Sequence, residues 1–136
     1  MGGLPFRCPI RVRWGEVDAQ GVVFNPNYFL YADVAATEFF RAIGVITGSH
    51  PDVGQSYVVD AHGQFHASAR FDDLLDVEVS VARVGRSSYA LTVQIRCDDQ
   101  TLTTIALTYV RAVEGKAVPL SDDFRAILVD LEPPGI

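Results

Sequence analysis

Residues 7–14 alternate, with Cys8, Ile10, Val12 and Trp14 on one side and Arg7, Arg11 and Arg13 on the other. A period of two predicts a half-buried strand that carries Trp14 into the core. The period changes over residues 28–43, YFLYADVAATEFFRAI. Asp33, Thr37 and Arg41 recur every fourth position, with Glu38 beside them, and nearly every other position is apolar. This predicts a helix buried on most of its circumference. Asn27 is its expected N-cap and Gly44 its C-terminal stop. At about 1.5 Å per residue the helix runs about 24 Å.

Residues 45–54, VITGSHPDVG, are rich in turn formers and predict a loop. Alternation then returns. Val59, Ala61, Gly63 and Phe65 share one parity, and Asp60, His62, Gln64 and His66 the other. Leu75, Val77, Val79 and Val81 form one further apolar row, and Tyr89, Leu91, Val93, Ile95 and Cys97 another. Residues 101–111 are mixed on both faces, as in a strand covered on both sides. The short links VGRSS and DDQ predict an antiparallel meander. SDDFRAILVDL predicts a short C-terminal helix with Ser121 as N-cap. One strand, one buried helix and four further strands make an α+β layer design. A helix this apolar needs a sheet curled around it. The sequence shows no internal repeat, linker or low-complexity segment.

At 136 residues the chain is expected to form one domain, 1–136, with a single core. Apolar residues make up 49 % and charged residues 21 %, the balance of a soluble globular protein. Eleven Lys and Arg against 17 Asp and Glu leave a net charge of −6, which disfavours nucleic acid as a partner. No apolar run approaches the roughly 20 residues that span a bilayer, so no membrane partner is expected. MGGLPFRCPI lacks the apolar segment of a signal peptide. Cys8 and Cys97 sit in alternating patterns and read as buried thiols in a reducing compartment, with the cytoplasm as expected location.

Several kinds of chemistry lack a pattern. His62 and His66 would share a metal on a helix, but on a strand they lie roughly 13 Å apart, too far for one ion. No metal site is expected. Ser49, His50 and Asp52 are close in sequence, yet there is no G-x-S-x-G elbow, G-x-G-x-x-G or P-loop. What stands out is GEVDAQGVVFNPNY, residues 15–28, which puts Glu16 and Asp18 just before a buried helix N-terminus. Such a terminus offers unpaired N–H groups and a partial positive charge, and it stabilises an anion. A carboxylate beside donors aimed at a carbonyl is the minimum set for hydrolysing an activated acyl group. Gly21 would let the loop turn tightly. Spacing alone leaves open whether these acids do chemistry, cap the helix or are simply solvated.

The stretch RVRWGEVDAQGVVFNPNYFLYADVAATEFFRAIG resembles the signature of the 4-hydroxybenzoyl-CoA thioesterase-like family of hotdog-fold proteins, with Asp18, Gly21, Val23, Asn25, Asn27 and Tyr28 on the family pattern. FDDLLDVEV followed by VGRSSYAL resembles the family's later strands and their turn. The resemblance implies the hotdog fold, an antiparallel sheet of five or slightly more strands around one long helix, assembled as dimers and often tetramers. It implies an acyl-CoA thioesterase in which Asp18 is nucleophile or general base. The backbone N–H near Asn25 would contact the oxyanion, and Gly21 and Glu16 would shape the loop. Phe24, Tyr28 and His62 are expected at the acyl pocket. Arg86, Ser87 and Ser88 fall in the turn that meets coenzyme A phosphates in some members, although Arg86 reads equally as a solvated turn residue. No cofactor is implied, since coenzyme A is part of the substrate.

Glu16 stands where aspartate is common in the family, and Asn25 where histidine or tyrosine is common. These departures bear on the acyl group more than on the reaction. An acyl-carrier-protein thioesterase and a non-catalytic dimer binding an acyl or aromatic ligand are the alternatives. A dehydratase of the same fold is disfavoured by the lack of any histidine in residues 1–43. The strand carrying Asp60, His62, Gln64 and His66 is expected near a partner subunit.

Overall fold

The computed structural model describes residues 5–46 and 50–133. Strand β1 covers Phe6–Arg11, helix α1 Pro26–Ala42 and a short helix α2 Pro51–Gly54. Strands β2 (Ser56–Phe65), β3 (Leu74–Val84), β4 (Ser88–Cys97) and β5 (Gln100–Val113) follow, then a two-residue β6 (Lys116–Ala117) and helix α3 (Asp122–Leu131). The predicted helix, strands and C-terminal helix are all present. The segment read as a loop before β2 contains α2, which starts on Pro51, a residue suited to a first helical turn.

The antiparallel sheet runs β1-β3-β4-β5-β2, with β6 added to β5. β3, β4 and β5 form the predicted meander. β2 instead crosses to the far edge and pairs with β5. The crossing segment, residues 66–73, must therefore pass over one end of the sheet, and this is where it meets the acid loop. Leu75, Val77, Val79, Leu91, Val93 and Ile95 are fully buried on the face that receives α1. Tyr28, Tyr31, Ala32, Ala35, Ala36, Phe39 and Phe40 are the buried positions of the helix.

Three expectations about the first 45 residues need correction. Trp14 is not core: it is 74 % exposed and meets Phe71 edge-on at a centroid distance of 5.3 Å. The alternating pattern outruns the strand, because the chain leaves the sheet after Val12 and forms a 3-10 turn at Trp14–Glu16. Asn27 is not the N-cap. Asn25 holds that position and Pro26 opens the helix, where a missing N–H costs nothing. Finally, Leu30 and Val34 are exposed beside Asp33 and Arg41, so α1 is less enclosed than its composition implies.

Gly44 does end the helix, at φ 82°. Its N–H donates to the Arg41 carbonyl at 3.1 Å, and the Val45 N–H donates to that of Phe40 at 3.0 Å. This pair of bonds is a Schellman stop, which requires a left-handed residue. At the other end of the chain, the Ser121 hydroxyl donates to Asp52 at 2.6 Å and the Ser121 N–H at 2.9 Å. Asp52, fully buried with Arg111 at 3.6 Å, thus anchors α3.

Candidate active site

Residues 17–23 form a miniature hairpin. Val17 bridges Val23, and the Asp18 N–H donates to the Val22 carbonyl at 2.8 Å. The Gly21 N–H donates back to the Asp18 carbonyl at 3.0 Å, with Gly21 at φ 80°. A turn followed by a left-handed residue closes short hairpins of this kind. Nothing lies within 4 Å of a Cβ built on Gly21, so backbone conformation rather than space demands the glycine. One Asp18 carboxylate oxygen accepts the Gln20 N–H at 2.9 Å. The other oxygen has no protein partner among the described residues.

Glu16 is engaged on every side. One carboxylate oxygen accepts the Arg13 N–H at 2.8 Å and the Tyr31 hydroxyl at 2.9 Å. The other accepts Arg13 Nε at 3.1 Å and a terminal guanidinium nitrogen at 2.9 Å. Its backbone carbonyl accepts the Phe24 N–H at 3.0 Å and the Asn27 side-chain amide at 2.9 Å. Burial alone would push this carboxyl up, but the bonds from Arg13 and Tyr31 outweigh it and hold the group below its ordinary 4.5. Burial, and then the Glu16 carboxylate, push the Tyr31 hydroxyl up, so it stays a donor. The two acids of the loop are therefore unlike: Glu16 is built in, whereas Asp18 presents a free oxygen.

The helix entrance has few donors left. The Phe24 N–H goes to Glu16, that of Asn27 to the Phe24 carbonyl at 2.9 Å, and that of Tyr28 to the Asn25 carbonyl at 3.2 Å. Pro26 has none. The Asn25 N–H has no partner among the described residues, and Asn25 is exposed. The first turn of α1 carries no acid and no side-chain cap, so its partial positive charge is left uncompensated by its own sequence. Phe24 is exposed next to this donor.

Other expected residues are placed differently. Tyr28 is 2 % exposed, with its ring edge-on to Tyr31 and Phe65. Its hydroxyl accepts the Ala69 N–H at 3.0 Å, so within the chain it fastens the crossing segment rather than lining an open pocket. Ala69 in turn accepts the Val23 N–H at 2.9 Å, and Arg70 bridges Val22. His62, expected at the acyl pocket, does not face the core within the chain. It pairs across from Ala106, whose ladder neighbours Ile105 and Leu107 face the core, so His62 lies on the opposite face with Asp60 3.0 Å from its ring. No group of three or more potential metal ligands occurs among the described residues. Ser49 lies outside the described residues, and Asp52 is committed to α3.

Arg86, Ser87 and Ser88 form the β3–β4 turn at the end of the sheet away from the acid loop. β3 starts at Leu74, paired with Arg11 beside that loop, and a strand of its length separates the two ends by about 30 Å. The Arg86 and Ser87 carbonyls accept the Leu120 and Arg111 N–H groups, both at 2.9 Å, while the Arg86 side chain is exposed. The pattern of the sequence did not single out Arg13 or Tyr31. The available signals were the spacing of three between Arg13 and Glu16, and that between Tyr28 and Tyr31 on one helix face.

A family model described as the thioesterase superfamily matches residues 20–104. The chain belongs to the thioesterase superfamily. The acyl-CoA thioester hydrolase YbgC of Escherichia coli O6:H1 is 28 % identical over 110 residues, covering 80 % of this chain and 82 % of that protein. The 4-hydroxybenzoyl-CoA thioesterase of Pseudomonas sp. strain CBS-3 is 28 % identical over 83 residues, 58 % of this chain and 59 % of its own. A Thermus thermophilus thioesterase solved with coenzyme A and zinc superposes with a TM-score of 0.85 at 23 % identity, over 98 % of this chain and 100 % of that one. The expected family and the expected hotdog fold are thus both borne out, and this superfamily member is a thioester hydrolase. The family match begins at Gln20, after Asp18, so the acid's role rests on the loop geometry. No helix among the described residues is long and apolar enough to cross a membrane.

Proposed function

We propose that this thioester hydrolase acts on acyl-CoA, with Asp18 as nucleophile or general base and the Asn25 N–H as oxyanion donor. The observation that carries the reading is one open carboxylate oxygen in the small hairpin and one free N–H at the helix entrance that follows it. Asp18 attacks the thioester carbonyl, or takes a proton from water that attacks it. The carbonyl oxygen gains charge at the helix entrance, and the C–S bond breaks to release the coenzyme A thiolate. In the nucleophilic route this leaves the acyl group on Asp18 as a mixed anhydride, which water then hydrolyses to the free acid and the Asp18 carboxylate. One such donor is worth about 3 to 4 kcal/mol. The names of the relatives support the acyl-CoA substrate, as does the Thermus protein that holds coenzyme A. No metal or redox cofactor enters this scheme.

The reading includes a second copy of the chain. β2 is an edge strand with Tyr57 60 %, Val58 52 % and Val59 60 % exposed, whereas the other edge, β1, carries Pro9 and two arginines that blunt it. Antiparallel pairing of two β2 strands would set opposite ends of the two sheets side by side. The acid loop of one copy would then face the end that carries the partner's Arg86, in reach of the coenzyme A phosphates. Phe24, beside the free N–H, would line the acyl group.

Thiol release should be followed over aromatic, short-chain and long-chain acyl-CoAs and acyl-carrier-protein thioesters, for wild type and Asp18→Asn. The substitution keeps shape and removes charge, so kcat should fall by about 10² to 10⁴ with KM little changed. Wild-type turnover by Asp18→Asn would refute the assignment of the acid, and an inert wild type on every thioester would refute the reaction.

A further inference from the structure

Hydrolysis at this site needs a fixed separation between the Asp18 carboxylate and the Asn25 N–H, because attack and oxyanion contact happen on one carbonyl. Asp18 lies within the hairpin and Asn25 two residues beyond its end, at the helix entrance, and the hairpin itself is small, held by single bridges. Glu16 bonds the chain on both sides of the hairpin, at Arg13 and Phe24, and the helix as well, at Asn27 and Tyr31. Its carboxylate is clamped by Arg13 before the hairpin and by Tyr31 in the second turn of α1. Its carbonyl holds the residue preceding Asn25 and, through Asn27, the first turn of α1. Glu16 is only 8 % exposed and its bond to the buried Tyr31 is shielded from competing water, whereas the Arg13 side chain reaches it from the surface.

We infer that Glu16, clamped by Arg13 and Tyr31, is the positioning residue that sets the distance between the Asp18 carboxylate and the Asn25 N–H. Glu16 does not touch the reacting atoms. By engaging the Phe24 N–H and the Asn27 side chain, it also leaves Asn25 as the one free backbone donor at the helix entrance. The inference rests on the hydrolase reading above for its kinetic consequence, but its structural half stands apart from catalysis.

The test uses four variants of the full chain. Tyr31→Phe keeps the ring and removes one donor to Glu16, and Glu16→Ala removes the clamp. Glu16→Gln keeps acceptors for Tyr31 and the Arg13 N–H. Tyr89→Phe is the control, since it removes another engaged tyrosine hydroxyl, bonded to Ser56 at 2.7 Å at the far end of the sheet. A misplacement of about 1 Å costs up to about 10²-fold in rate, so kcat should fall about tenfold or more in Tyr31→Phe and further in Glu16→Ala. KM should stay within about twofold, and Glu16→Gln should recover much of the rate. Amide exchange at Phe24, whose N–H donates to the Glu16 carbonyl, should quicken in Tyr31→Phe and stay unchanged in Tyr89→Phe. Unchanged kcat in Tyr31→Phe would overturn the proposal, and so would an equal loss in Tyr89→Phe, which would make the effect one of general stability. If Glu16→Ala fails to fold, Tyr31→Phe decides alone. If wild type turns over no thioester, the hydrolase reading falls, and unchanged exchange at Phe24 in Tyr31→Phe would then overturn the clamp separately.

Discussion

Replacing Tyr28 by phenylalanine isolates one bond on which the site depends. The ring contacts to Tyr31 and Phe65 stay, at centroid distances of 6.2 and 5.5 Å, so the apolar contribution is conserved. What disappears is the acceptor for the Ala69 N–H, at a residue with no exposed surface. A buried donor left without a partner costs about 1 to 3 kcal/mol, more than the net worth of an ordinary hydrogen bond. For a chain of this size that is a fall in Tm of a few to about ten degrees. Urea denaturation at one fixed protein concentration is the appropriate assay, because self-association would make apparent stability depend on concentration. The midpoint should drop with the slope unchanged. Ala69 also holds Val23, so amide exchange at Val23 should quicken more than exchange in β3 or β4. A loss below about 0.5 kcal/mol, with Val23 exchange unaltered, would show that the crossing segment does not hang on Tyr28.

Acid should loosen the loop through Glu16. Its carboxyl lies below 4.5 in the folded chain, so the unfolded chain binds the proton more readily; stability is full above 4.5 and is lost as pH falls through the lower folded value. Stability measured against pH should therefore slope less in that window for Glu16→Gln, and identical slopes would refute the clamp's charge. At the sheet edge, Val59→Lys should leave monomers by light scattering and lower kcat/KM, because a charge on an exposed strand edge opposes pairing. A dimer of wild-type activity would exclude β2 as the shared edge.

The elements were legible because their periods are local. α1, β3, β4 and β5 declare themselves through side chains that their own neighbours bury. Strand order is not local, which is why the crossing of β2 to the far edge is absent from the pattern, and with it the contact between residues 66–73 and the acid loop. Trp14 misleads for a related reason: its parity continues β1, but only the ladder shows that the strand has already ended. Asn27 reads as the N-cap from the pattern, and Pro26 just before it is the overlooked signal that places the cap at Asn25. Parity had already grouped His62 with Asp60 and Gln64, on the face that the core does not use. In the loop itself, spacing alone gives the two acids equal promise, and only the family resemblance gives Glu16 a loop-shaping role. The positions of Arg13 and Tyr31 show how Glu16 is held.

These placements explain how a site with so few groups can be stiff. The Asp18 carboxylate sits on a turn, normally a mobile element, and the Asn25 N–H sits at a helix end that lacks a side-chain cap. Each is tied to α1 by a tyrosine: Tyr31 through Glu16 on the incoming strand of the hairpin, and Tyr28 through Ala69 on the outgoing strand. The two tyrosines stand three residues apart on one face, with rings in edge contact, and both are buried against the sheet. The hairpin thus takes its position from the most deeply packed stretch of the molecule. In the proposed reaction the thioester is already activated, so one carboxylate and one well-aimed N–H suffice when neither can drift. In the proposed dimer, a partner subunit would supply the walls that choose the acyl group across the open β2 edge.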